Sequence, residues 1–133
     1  MVTQIFVVED HPLMQKMLCE FIERLPGFAV CGTRQSAEEA LAAIIDIMPD
    51  LILIDMSLPG MNGAELVSAI RRKWPELPTV LLSGHGEKIH VKQALEAGAR
   101  GYIMKGKPNE LQNALEQILA GEIYLSEGLR SYG

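Results

Sequence analysis

Five side chains able to do chemistry stand at the ends of short apolar runs. Glu9 and Asp10 follow Ile5-Phe6-Val7-Val8, and Asp55 follows Leu51-Ile52-Leu53-Ile54. Ser83 follows Thr79-Val80-Leu81-Leu82, and Lys105 follows Gly101-Tyr102-Ile103-Met104. Three carboxylates gathered in one place repel one another and cannot all ionise freely. A hard divalent cation relieves that repulsion, and magnesium binds through one or two carboxylates plus phosphate oxygens. An ammonium and a hydroxyl beside them suit a transferring phosphoryl group, because that chemistry is mostly positioning and charge neutralisation. A carboxylate can itself be the nucleophile and carry the phosphoryl group. The set suggests a magnesium-dependent phosphoryl-acceptor site.

The elements that must position these groups follow from the apolar periodicity. Residues 5–8, 28–32, 51–54, 79–82 and 100–104 read as five short strands. Each is followed by a helical pattern with apolar residues three and four apart, as in Met14, Met17, Leu18, Phe21, Ile22 and Leu25. Pro12 fits the first turn of helix one, where a missing N–H costs nothing. Ser36 and Glu39 have capping-box spacing at the start of helix two. Gly98 is placed to cap helix four. Pro108 is expected to open a last helix with the stripe Leu111, Leu115, Ile118 and Leu119, closed by Gly121. Short apolar strands without alternation imply burial on both faces. Strict βα alternation implies a parallel sheet with helices on both sides. Ligands of such sheets bind outside the carboxyl ends of the strands, where all five groups stand. After Gly121 the pattern fades, so residues 1–121 are expected to form the domain and 122–133 a tail or a linker cut short.

Composition narrows the function. The 133 residues carry 12 Lys plus Arg against 17 Asp plus Glu, a net charge of −5 that disfavours nucleic-acid binding by this chain. Aromatic residues are 5%, too few for base-stacking platforms. Hydrophobic residues at 48% and charged residues at 22% match a globular domain. No apolar run approaches a membrane span, and the first residues lack a signal-peptide pattern. Cys19 and Cys31 lie in apolar stretches and are expected to be buried free thiols, in keeping with a cytoplasmic protein.

The sequence resembles the receiver domains of two-component response regulators. The resemblance spans residues 3–121 and rests on four segments. They are Val7-Val8-Glu9-Asp10-His11-Pro12, the stretch from Leu53 to Gly63 around Asp55, Leu81-Leu82-Ser83-Gly84, and Ala97-Gly98-Ala99-Arg100-Gly101-Tyr102-Ile103-Met104-Lys105. It implies a flavodoxin-like α/β fold, a doubly wound five-stranded parallel sheet of order 2-1-3-4-5 with five helices. It implies that Asp55 accepts a phosphoryl group from a sensor histidine kinase or phosphotransfer protein. Asp10 would bind magnesium directly, Glu9 through water, and Ser57 through its backbone carbonyl. Lys105 would pair with phosphoryl oxygens, with Lys107 as its rival. Ser83 would hydrogen-bond a phosphoryl oxygen, and Tyr102 would turn inward as that hydroxyl moves. Gly84 would leave the phosphoryl group room. Ser57 and His85 fall at two variable positions that flank the group.

The opening Asp10-His11-Pro12 and the ending from Ala120 to Ser126 look like the subfamily whose receivers precede a helix-turn-helix DNA-binding domain. No such domain fits in this chain, which is expected to be either a fragment cut in the linker or a stand-alone receiver; DNA contact would come only through an output domain outside it. A homodimer on phosphorylation is a further expected partner. Two other functions compete. A small magnesium phosphohydrolase would carry a second Asp two residues after the nucleophile, where Ser57 stands. A phosphorylation-independent interaction module would not need the full set. Met14, Met17 and Met61 read as core or partner surface. His11, His85 and His90 read as surface or loop residues, since they show no ligand spacing with cysteine.

Overall fold

A computed structural model describes residues 2–106 and 108–132. The chain alternates β1 (Thr3–Val8), α1 (Pro12–Arg24), β2 (Phe28–Arg34), α2 (Ala37–Ile47), β3 (Leu51–Asp55) and α3 (Gly63–Lys73). It continues with β4 (Thr79–Ser83), α4 (Lys88–Ala97), β5 (Gly101–Met104), α5 (Leu111–Leu119) and β6 (Tyr124–Leu125). The sheet order is β2-β1-β3-β4-β5-β6, every pairing parallel. The doubly wound α/β fold and its five helices match the expectation. Lys107 lies outside the described residues.

Alternate residues of each central strand enter two apolar layers. Phe6, Val8, Ile52, Ile54, Leu81 and Tyr102 face α2, α3 and α4, meeting Ile44, Leu66, Ile70 and Val91. Ile5, Val7, Leu53, Val80, Leu82 and Ile103 face α1 and α5, meeting Ile22, Leu111, Leu115 and Ile118. Because both faces are covered, β3 and β4 are buried throughout. That burial forces the polar groups to the strand ends.

Local signals stop and start the helices as read, with refinements. Pro12 occupies the first turn of α1. Ser36 accepts from the Glu39 N–H, while the full reciprocal box forms at Asn62 and Glu65. Gly98 ends α4 in the left-handed region at φ 108°. Pro108 opens a short helical turn (Pro108–Glu110) rather than α5 itself. Leu119 is not part of the buried stripe; Ala114 takes its place beside Leu111, Leu115 and Ile118. Cys19 and Cys31 are free but only half-buried, and burial pushes both thiols up. Among the described residues no helix is long and apolar enough to cross a membrane.

The sixth strand corrects the count of five. Residues expected as a tail return to the sheet: the Tyr124 N–H donates to the Arg100 carbonyl and the Ser126 N–H to the Tyr102 carbonyl. Tyr124, Leu125, Ser126 and Leu129 are buried. A two-residue strand leaves too short a pattern to detect by alternation. Ser126 fastens it. Its hydroxyl accepts from the Met104 N–H at 2.9 Å and donates to Glu110 Oε1 at 2.6 Å. Replacing Ser126 by Ala leaves the half-buried Met104 N–H and Glu110 carboxylate without this partner, and an unsatisfied buried group costs about 1–3 kcal/mol. We expect S126A to lose roughly 2 kcal/mol in urea denaturation. A loss within about 0.5 kcal/mol would mark the segment as a loose tail.

Candidate functional site

β1, β3 and β5 deliver their terminal residues to one edge. Glu9 and Asp10 leave β1, Asp55 closes β3, and Lys105 follows β5. Parallel register brings them level: Val8 pairs with Ile54, and Asp55 with Leu82. The Lys105 Nζ lies 3.1 Å from Asp55 Oδ1 and 3.5 Å from Glu9 Oε1. The Ser57 N–H donates to Asp55 Oδ1 at 3.0 Å. Glu9 and Asp55 are almost wholly buried, at 0% and 1% exposure. Asp55 Oδ2 is buried without a hydrogen-bond partner; Glu9 Oε1 and Asp10 Oδ1 are likewise buried without a hydrogen bond, and have Lys105 Nζ at 3.5 Å and His11 Nδ1 at 3.2 Å as ion-pair neighbours.

Donor atoms from Glu9, Asp10, His11 and Asp55 all lie within 4.8 Å of one another. Buried carboxylate oxygens that lack donors are what a hard cation satisfies. The donor set therefore fits magnesium, with oxygen ligands at the buried end and an open side where His11 is exposed.

The electrostatics divide the carboxylates. Burial pushes the Glu9 carboxyl above the usual range, and its contact with Asp55 adds to this, against the opposing His11 N–H. Burial also pushes Asp55 up, but the Ser57 N–H, Glu9 and the Lys105 ammonium outweigh it and hold the carboxyl below the usual range. Burial works against charge on Lys105, but Asp55 and Glu9 outweigh it and hold the ammonium above its ordinary value. Asp55 is thus the ionised member and Glu9 the reluctant one.

These directions have opposite effects on stability. Ionised Asp55 contributes stability above its unfolded value, and this is lost as pH falls through the lower folded one. Protonated Glu9 contributes stability below its unfolded value, and this is lost as pH rises through the higher folded one. Without divalent cations, Glu9→Gln should therefore raise the thermal midpoint at neutral pH. A gain of roughly 1 kcal/mol is expected, the scale of one relieved repulsion at high effective dielectric. The gain should fade as acid protonates Glu9 in the parent. A midpoint that falls at neutral pH would contradict the assignment.

Ser83 and Tyr102 join each other rather than Asp55. The fully buried Ser83 ends β4 and does not cap α4, whose N-cap is Glu87. Its hydroxyl accepts from the His85 N–H at 3.0 Å. The Tyr102 hydroxyl donates to the His85 carbonyl. One peptide segment thus links the two residues. Tyr102 is buried at 0% exposure, so the ring already lies inside in this state. Gly84 has open space where a Cβ would stand.

Two contributors were not foreseen. His11, read as a surface residue, places Nδ1 3.2 Å from both Glu9 Oε2 and Asp10 Oδ1. Its position directly after the acidic pair was the available signal. Gly63, the first residue of α3, packs against the backbone of Asp55 and Met56.

A buried, ionised carboxylate thus stands beside an ammonium at the carboxyl edge of a doubly wound α/β sheet. Residues 5–116 match the response regulator receiver domain, and the chain belongs to that family. It is 36% identical over 126 residues to the nitrate/nitrite response regulator protein NarL of Escherichia coli K12, covering 94% of this chain and 58% of that protein. It is 31% identical over 124 residues to the response regulator GacA of Pseudomonas protegens, covering 92% of this chain and 58% of that one. The chain thus spans somewhat over half the length of these relatives. A two-component response regulator of the LuxR family from Aurantimonas superposes with TM-score 0.94 at 33% identity, covering 99% of this chain and 95% of that one. The isolated receiver domain of RcsB from Salmonella enterica, solved with the phosphomimetic beryllofluoride, shares the fold at TM-score 0.89 and 20% identity, over 99% of both chains.

Proposed function

We propose that this receiver domain accepts a phosphoryl group on Asp55 and changes conformation around Ser83 and Tyr102 to control an output. The observation that carries the reading is Asp55 itself. It is buried and ionised, with Oδ1 held by Lys105 and Ser57 and Oδ2 unpartnered. An oxygen so held is a poised nucleophile: the Asp55 oxygen bonds to phosphorus as the P–N bond of a phosphohistidine breaks and the imidazole leaves. Magnesium, held by Asp10, Asp55, the Ser57 carbonyl and Glu9 through water, would neutralise charge on the phosphoryl oxygens. Lys105 pairs with those oxygens after leaving its contact with Asp55. The Ser83 hydroxyl reaches for the phosphoryl group by giving up the His85 N–H. That exchange disturbs the peptide that also holds Tyr102, shifting a two-state equilibrium.

The phosphodonor would be a sensor histidine kinase or phosphotransfer protein. An apolar groove of about 390 Å³ beside Lys105, lined by Met14, Met17, Phe21, Met104 and Leu111, suits a helix of such a donor. One relative, ExaE of Pseudomonas putida, is a transcriptional activator protein, so a DNA-binding output domain and a homodimer on phosphorylation belong to the same proposal, as does a cytoplasmic setting. The chain would not be an enzyme beyond slow self-dephosphorylation. Ser57 stands where a phosphohydrolase needs a general acid, which disfavours turnover.

The test is beryllofluoride with magnesium, followed by backbone resonances. Shifts are expected at Ser83, His85 and Tyr102, and none in Asp55→Ala. Silent spectra in the parent, or equal shifts in the variant, would sink the reading.

A further inference from the structure

His11 is a site neighbour that the phosphoryl chemistry does not use. Its backbone is extended at φ −89° and ψ 113°, as a residue before proline must be, so Pro12 limits where the side chain can point. The imidazole makes no capping bond to α1. Instead Nδ1 stands 3.2 Å from Glu9 Oε2 and 3.2 Å from Asp10 Oδ1, and the His11 N–H donates to Glu9 Oε2 at 3.2 Å. His11 thus joins the carboxylates of Glu9, Asp10 and Asp55 in a group whose donor atoms all lie within 4.8 Å of one another, and the buried Asp55 Oδ2 in that group has no hydrogen-bond partner.

We propose that His11 supplies a nitrogen ligand to this site for borderline transition-metal cations such as nickel or cobalt. This rests on the divalent-cation reading of the carboxylates given above. Carboxylate and carbonyl oxygens suit magnesium, whereas imidazole suits nickel, copper and zinc. Two donors on one ion with bonds of about 2.1 Å lie at most about 4.2 Å apart. The 3.2 Å from His11 Nδ1 to Glu9 Oε2 and to Asp10 Oδ1 already lies within that limit, while the 4.8 Å bound on the whole group requires the carboxylates to draw closer around an ion. The His11 side chain is 68% exposed, so it swings out at little cost when magnesium brings its own waters. It stays in place for an ion that accepts nitrogen. One site then holds two classes of cation, through three oxygen donors or through three oxygens and a nitrogen.

The test is calorimetric titration of the 133-residue chain with magnesium chloride and, separately, with nickel chloride, at about pH 8, where a free imidazole is neutral. The His85→Ala variant serves as background, to remove a second imidazole source. His11→Ala should weaken nickel by about tenfold or more, while magnesium changes less than about threefold. Excess magnesium should displace the nickel, placing both at one site. With cobalt bound, paramagnetically shifted imidazole proton resonances should appear in the parent and vanish in His11→Ala. Nickel affinity unchanged in His11→Ala, or nickel and magnesium weakened alike, would overturn the proposal while leaving the magnesium site intact. Absence of magnesium binding in the parent would instead remove the reading beneath it. An exposed side chain makes misfolding of the variant easy to exclude by its circular dichroism.

Discussion

Asp55→Asn is expected to abolish phosphoryl acceptance while leaving the fold in place. Asn keeps the shape of the side chain, and its amide oxygen still accepts the Ser57 N–H that now reaches Asp55 Oδ1 at 3.0 Å. What is lost is the anionic oxygen. An amide oxygen is a poor nucleophile toward phosphorus, and Lys105 loses the carboxylate 3.1 Å from its Nζ. Loss of a nucleophile removes nearly all of a covalent step, so transfer from a phosphorylated kinase or acetyl phosphate should fall by at least about a thousandfold. Phosphate-affinity electrophoresis with an acid-labile acyl phosphate control reads this directly. Label retained on Asp55→Asn would move the acceptor elsewhere.

The second large effect is structural. Gly63 is the first residue of α3, where helix propensity alone favours Ala over Gly by about 1 kcal/mol. The fold reverses that preference. A Cβ at Gly63 would lie 2.6 Å from the Asp55 carbonyl oxygen, 2.7 Å from Met56 Cα and 2.8 Å from Leu81 Cδ2. Two of these are backbone atoms that cannot rotate away. The Gly63 N–H also donates to the Met56 carbonyl at 3.0 Å, so the loop and helix start cannot separate freely. Gly63→Ala should therefore cost about 3 kcal/mol in denaturant melts despite its better propensity. It should also weaken magnesium, because the displaced backbone is the one carrying Asp55. A neutral or stabilising substitution would show that α3 can shift as a body without disturbing β3.

The acidic site was legible because residue type and position coincided. A carboxylate or an amine directly after a buried apolar strand has few other uses, and a parallel sheet sends those ends to one edge. Glu9, Asp55 and Lys105 meet there for that reason. The parts that were hidden depend on contacts between distant main-chain atoms. The joining of Ser83 to Tyr102 runs through the amide and carbonyl of His85, which no side-chain pattern announces. Ser126 and Glu110 lie sixteen positions apart and meet only because β6 returns beside β5. Gly63 looks like any turn glycine until the packing distance to Asp55 is known. His11 looked ordinary because its partners are the two residues just before it, whereas ligand spacing on a helix or hairpin is sought at longer intervals.

β6 also changes what kind of motion Tyr102 can make. Without it β5 would be an edge strand, free to peel on one side. With it, Tyr102 is laddered to Leu81 on one flank and to Leu125 on the other, and its carbonyl is taken by the Ser126 N–H. The main chain at this position behaves as a fixed axle. Under the switch proposed above, a conformational signal arriving through His85 would be confined to rotation of the ring about its own side-chain bonds. The readout would then be a rotor with discrete positions rather than a graded flexing of the sheet.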